Sequence, residues 1–245
     1  MSKKIKVGID INEIFRARWL QFDRFYAQEF GEDGVPDTQP YVYDLFNSYK
    51  FEDTTETIKE LKEPEDFPEN INPIDYELNE EGEAPADAFL FKKPEVNKLT
   101  AKEVYNRFMY EDFLFELHAS APIMYKGMDL HVNNFLEKYK DSCEFIIYSV
   151  ENKFSIPPTL FFLSKMSCRF KNIKFIDKSV DALNDVDVLI TTDPEILSLG
   201  VPWGMKIIKM SRPYNKKLKS NSMEALQIAD LIDNLEFEKI IKYKK

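Results

Sequence analysis

Five short apolar runs, each closed by polar residues and separated by stretches with helical spacing, constrain this chain most. They are KIKVGI (4–9) ending at Asp10, EFIIYS (144–149), IKFI (173–176), VDVLI (186–190) and KIIKM (206–210). Such runs are strand length, and apolar strands alternating with helices predict a parallel sheet covered on both faces. The fold class read from the sequence is therefore α/β. A chain of 245 residues is long enough to build a full core, because a fold of this size hides about 70–75% of its unfolded surface.

Helical spacing fills the gaps. Phe15, Trp19, Phe22, Tyr26 and Phe30 recur at steps of three and four, which predicts a helix from Glu13 to Phe30 stopped by Gly31. This aromatic stripe reads as core rather than as a platform for bases. Thr100 followed by Glu103 is a capping box, expected to open a helix over 101–118. A second stripe through Met128, Val132, Phe135 and Tyr139 predicts a helix over 127–139. Further helices are expected near 157–166, just after Pro194, and over 222–236 with Ile228, Leu231, Ile232 and Leu235 inward. No internal repeat is present.

Between Gly31 and Leu99 the periodicity fades, and seven prolines interrupt the stretch. Its middle is acidic. Residues 52–89 hold fourteen carboxylates against Lys59 and Lys62, a net of −12, within a chain of net charge −10. The rest of the chain therefore sums to +2. Residues 50–97 read as an extended acidic arm that cannot offset the entropy of ordering by itself. Conversely, 206–219 carries Lys206, Lys209, Arg212, Lys216, Lys217 and Lys219 with no acid. The expected organisation is a core of 1–30 with 127–245, interrupted by an insertion at 31–126 that contains the arm (50–97) and a helical cap (100–120).

Composition excludes several classes. The overall negative charge argues against general affinity for phosphate backbones, so nucleic acid is not an expected partner. No apolar run of about 18 residues exists to span a membrane. The N-terminal MSKKIKVGID lacks the apolar stretch and cleavage site of a secretion signal. Cys143 and Cys168 lack metal or disulfide spacing, and together these features predict an intracellular or virion-interior setting. The two histidines, His118 and His131, suit neither a metal site nor a triad, and no G-x-S-x-G elbow or glycine-rich phosphate loop is present.

In a parallel sheet, functional groups gather at the carboxyl ends of the strands. Here those ends read Asp10-Ile11-Asn12, Tyr148-Ser149, Lys178 in the phrase IDKSV, and Thr191-Thr192-Asp193-Pro194. In this order they resemble the haloacid dehalogenase superfamily of phosphotransferases, and within it the 5′(3′)-deoxyribonucleotidase branch. The resemblance covers 4–30 and about 127–210. It implies Asp10 at the position of the nucleophile, Asn12 at that of the general acid–base, and Ser149 and Lys178 at those holding phosphoryl oxygens. It also implies a magnesium site drawing on Asp10 and Asp193, and a cap at 31–126. Each residue has a plainer reading as well: Asp10 as a strand-end cap, Ser149 and the two threonines as turn residues, Lys178 as a solvated side chain.

The departures from the family pattern decide the functional expectation. Asn12 cannot exchange a proton at neutral pH as a carboxyl does, and acid–base help alone is worth roughly 10²–10⁴ in rate. Neutral Thr191 and Thr192 stand where the family has an acidic pair, whereas magnesium wants anionic oxygen ligands. The expected function is therefore a non-catalytic subunit of a larger oligomeric assembly, without a cofactor, whose partners are other protein subunits or copies of itself. Lys216, Lys217 and Lys219 on one side, and Glu63, Glu65 and Asp66 on the other, are its expected contact residues. Lys, Asn, Ile, Phe and Tyr make up 95 residues, and Lys outnumbers Arg 27 to 6, a bias that suits an AT-rich genome and suggests a ring or connector protein of a bacteriophage tail. The alternative is a magnesium-dependent deoxyribonucleotidase or related phosphatase.

Overall fold

The computed structural model describes residues 3–42, 44–57, 96–199 and 204–242. In chain order the regular elements begin with β1 (Ile5–Asp10), α1 (Arg18–Phe30) and α2 (Leu45–Ser48). Then come β2 (Thr54–Thr57), β3 (Val96–Leu99), α3 (Ala101–Arg107), α4 (Leu114–His118) and α5 (Met128–Tyr139). The rest are β4 (Cys143–Val150), α6 (Ile156–Lys165), β5 (Asn172–Ile176), β6 (Val188–Thr191), α7 (Pro194–Ser198), β7 (Lys206–Met210), β8 (Met223–Ala225) and α8 (Leu235–Lys242). The chain divides into two compact units, Met1–Lys50 with Tyr105–Lys245, and Phe51–Val104.

Six strands of the larger unit form one sheet in the order β5-β4-β1-β6-β7-β8, every neighbouring pair parallel. This is the α/β architecture expected from the sequence. Side chains alternate across the sheet with period two. Ile9, Ile147, Ile190 and Ile208 join one core with Phe135 of α5 and Phe162 of α6, while Ile146, Leu189 and Ile207 join the core of the opposite face with Ile196 of α7. The central strands β1, β6 and β7 are buried on both faces and so read as near-continuous apolar runs, whereas edge strand β5 stays partly exposed.

Three helix expectations are corrected. α1 starts at Arg18, not Glu13, because the chain leaving β1 first makes a tight turn in which Phe15 N–H and Arg16 N–H both donate to Ile11 O, with Glu13 at φ 59°. Phe15 thus packs in the turn, and Phe22 and Tyr26 carry the helix stripe into the core. The helix expected over 101–118 is broken by a π turn at Phe108–Asp112 that lets Phe108 and Met109 both point inward. Aromatic packing wins there: the Phe108 ring meets those of Phe22, Phe30 and Phe113 at 5.1, 5.5 and 4.9 Å. The last helix, expected over 222–236, is instead β8, a 3₁₀ turn at Ile228–Leu231 and α8 from Leu235. Met223 and Ala225 face the core from this added edge strand, which satisfies backbone groups of β7.

In the smaller unit β2 and β3 pair antiparallel, so the two described ends of the acidic arm form a ladder. The remainder of that arm, with Glu63, Glu65 and Asp66, lies outside the described residues. The capping box is present: Glu103 N–H donates to Thr100 Oγ1 at 3.3 Å and Thr100 N–H donates to Glu103 Oε2 at 2.8 Å. No helix among the described residues is long and apolar enough to cross a membrane.

Candidate functional site

The ends of β5, β4, β1 and β6 lie side by side, which brings Asp10, Ser149 and Thr191 to one edge of the sheet. Asp10, 7% exposed, ends β1. Its Oδ1 accepts from Asn12 N–H at 3.2 Å and its Oδ2 from Thr191 Oγ1 at 3.3 Å. Thr192 Oγ1 donates to Asn12 O at 3.4 Å. Asp193 caps α7 by accepting from Glu195 N–H at 2.8 Å, and the Tyr41 hydroxyl donates to the same oxygen at 2.8 Å. Asn12, Thr191, Thr192 and Asp193 are likewise buried.

Beside them sits a charged network that the motif pattern did not reveal. Arg16 is fully buried, and all five of its N–H donors find acceptors. Nε and Nη2 donate to Asn12 Oδ1 at 3.1 and 2.7 Å, Nη1 donates to His118 O at 3.0 Å and Thr159 Oγ1 at 2.7 Å, and Nη2 also meets Glu151 Oε1 at 2.7 Å. Ser149 Oγ and Thr159 Oγ1 donate to the same Glu151 oxygen at 2.7 and 2.8 Å, while Ser155 Oγ donates to Oε2. Ser149 therefore spends its proton on a carboxylate of its own chain. Asn12 presents its amide oxygen to a guanidinium, and its Nδ2 has no hydrogen-bond partner among the described residues.

Electrostatics agree with the geometry. Burial alone would raise the Glu151 carboxyl, but the Arg16 guanidinium, with His118 and Arg18 nearby, holds it well below the usual carboxylate range. Burial pushes the His118 imidazole down to about 4. At neutral pH it is uncharged, with Nδ1 3.4 Å from Glu151 Oε2 but outside hydrogen-bonding alignment. Glu13 is also fully buried. Its Oε1 accepts from Arg18 N–H at 3.1 Å, its Oε2 accepts from Gln39 Nε2 at 3.1 Å, and burial raises the carboxyl to about 7 against the pull of Arg18.

Little room is left for a ligand. The space bounded by Asp10, Tyr148, Ile176, Ser179 and Thr191 is a cavity of about 10 Å³, the volume of one water at most. The oxygen donors do not suit a magnesium ion either. Both Asp10 oxygens already accept hydrogen bonds, Asp193 is a helix cap, and the other candidates are neutral hydroxyls. Among the described residues no three His, Cys, Asp or Glu side chains come together in a metal-binding arrangement.

Lys178 is exposed after β5, where its backbone N–H donates to Asp181 Oδ2 at 3.2 Å. Lys216, Lys217 and Lys219 are exposed just beyond β7, in the segment whose Asn215 Nδ2 donates to Thr192 O at 2.8 Å. The residues missed were Glu13, Arg16, Glu151 and Thr159. One signal was available: charged Glu13 and Arg16 alternate with Ile11, Ile14, Phe15 and Ala17 in the INEIFRA segment, an arrangement that demands buried partners. Compared with known proteins, the chain matches no family model, and no curated protein matches it.

Proposed function

We propose that this chain is a haloacid dehalogenase-like domain without phosphoryl-transfer activity that serves as a structural subunit of a larger assembly. The family reading is supported by the order of the strands whose ends carry Asp10, Ser149, Lys178 and Thr191. The observation that carries the loss of catalysis is the buried Arg16–Glu151 network. It consumes the hydroxyl of Ser149 and the amide oxygen of Asn12, groups the family pattern assigns to phosphate and proton transfer, next to a cavity of about 10 Å³.

Assembly is supported by the surface of the larger unit. Phe115, Phe154, Leu160 and Phe161 are 50%, 54%, 43% and 47% exposed, and the rings of Phe115 and Phe161 lie 5.3 Å apart. The Phe115–Phe161 pair, with Leu160 next to it in the chain, is the exposed apolar surface on which the assembly reading rests. The Lys-rich, AT-biased composition favours a bacteriophage ring or connector protein as the setting.

The test is hydrolysis of deoxynucleoside monophosphates and of an aryl phosphate with magnesium. No turnover above background is expected, and Asn12→Asp with Thr191→Asp is expected to restore none while Arg16 and Glu151 remain. Turnover near ~1 s⁻¹, an ordinary enzyme rate, that disappears in Asp10→Asn would establish the nucleotidase reading instead.

A further inference from the structure

At the opposite end of the sheet, where β1, β4 and β5 begin, lies a cleft of about 800 Å³. Its floor is apolar, with buried Leu136 and Cys143 beside half-buried Phe145 and Phe170. Its rim is cationic: Lys4, Lys140, Arg169 and Lys171 stand against Glu137 and Glu144. Both acids are engaged already, Glu137 by Lys140, and Glu144 by Asn172 Nδ2 at 3.1 Å. Arg169 is held in position through its backbone, whose N–H donates to Asn133 Oδ1 at 3.1 Å. The side chains of Arg169 and Lys171 are exposed and make no close ion pair among the described residues, although both help to lower the Glu137 carboxyl.

We infer that this cleft is the docking site for a second copy of the chain, entered by that copy's acidic stretch 52–89. The chemistry is complementary on both counts. The stretch combines a net charge of −12 with interspersed Leu61, Phe67, Ile71, Ile74 and Tyr76, and the cleft combines unpaired cations with an apolar floor. The basic run 206–219 offers fewer free cations than its sequence suggests, its exposed ones being Lys216, Lys217 and Lys219. Lys209 is buried and bound to Leu218 O and Glu224, and Arg212 is spent on the backbone oxygens of Glu13, Ser211 and Leu226. This inference rests on the reading of the chain as an assembly subunit.

A charge swap tests it on the full chain. Sedimentation equilibrium is compared for the wild type, for Arg169→Glu with Lys171→Glu, and for Glu63→Lys with Glu65→Lys and Asp66→Lys. The wild type is expected to self-associate, and each variant to lose at least about tenfold in association constant, the first because its new glutamates face the acidic stretch and the second because its stretch falls from −12 to −6. Mixing the two variants is expected to regain association, because the second keeps the native cleft and the first keeps the native stretch; recovery also excludes misfolding as the cause of the losses. A monomeric wild type, association unchanged by the cleft variant, or no recovery on mixing overturns the inference. These outcomes are separable from the phosphatase assay. Turnover with intact cleft-dependent association would overturn the non-catalytic reading alone, whereas no turnover with cleft-independent association would overturn the docking site alone.

Discussion

Arg16 Nη2 and Glu151 Oε1 meet at 2.7 Å with neither side chain exposed to solvent, joining the turn after β1 to the segment after β4. A buried pair of this kind adds little over an apolar substitute, but breaking it strands a charge. Glu151→Ala is therefore expected to cost about 3–5 kcal/mol. In a chain this long that is a fall in Tm of roughly 10 °C. The double variant Arg16→Met with Glu151→Leu should be closer to wild type than Glu151→Ala alone. Thermal unfolding followed by circular dichroism checks this, and a double variant worse than the single one would mean the network stabilises as a unit.

Glu13 and His118 should give the protein opposing pH dependences. The Glu13 carboxyl titrates at about 7 in the fold against 4.5 ordinarily, so the fold binds the extra proton and loses stability as pH rises through that window. His118 titrates at about 4 against 6.5, so the fold resists its protonation and loses stability as pH falls from 6.5. Each amounts to about 3 kcal/mol at ~1.4 kcal/mol per unit. Wild-type Tm is expected to be nearly flat between pH 4.5 and 6.5. Glu13→Gln should expose a loss of Tm on acidification, and His118→Gln a gain. Equal slopes in the two variants would contradict the assignment.

Gly8 in β1 sits where a Cβ would fit only if its neighbours gave way by a few tenths of an ångström. A Cβ there would lie 3.0 Å from each of Leu189 Cδ1, Tyr148 Cε2 and Val186 Cγ1, all in the core of one sheet face. Gly8→Ala is expected to destabilise by about 1–3 kcal/mol, the usual range for overpacking, measured by urea unfolding. An unchanged midpoint would show that the three neighbours repack freely.

Thr100 holds the Glu103 carboxyl below its ordinary range by donating to it from both backbone and hydroxyl. Thr100→Ala is expected to raise that carboxyl in an NMR titration and to speed exchange of the Glu103 amide, which loses its acceptor. No change in either would mean the cap does not form in solution.

What the sequence disclosed followed from local chemistry. The apolar runs ending at Asp10, Ser149 and Thr191 carry their strand signal within themselves, and the Thr100–Glu103 cap is four residues long. What it hid depends on distance along the chain. Arg16 and Glu151 are separated by 135 positions, so nothing near either identifies its partner. β8 is three residues long, too short for alternation to compete with the helical spacing of the leucines and isoleucines after it. The cationic cleft was hidden for the same reason, since Lys4, Lys140 and Arg169 become neighbours only once β1, β4 and β5 are paired.

Whether the strand ends can still accept a phosphoryl group is read most directly by fluorine NMR of the chain with magnesium and fluoroberyllate, a mimic of phosphate bound to an aspartate. With the space beside Asp10 reduced to about 10 Å³ and Ser149 bound to Glu151, only the resonances of free fluoroberyllate are expected, unchanged by the protein. Bound resonances in slow exchange that require magnesium and vanish in Asp10→Asn would contradict the closed crevice and the non-catalytic reading built on it.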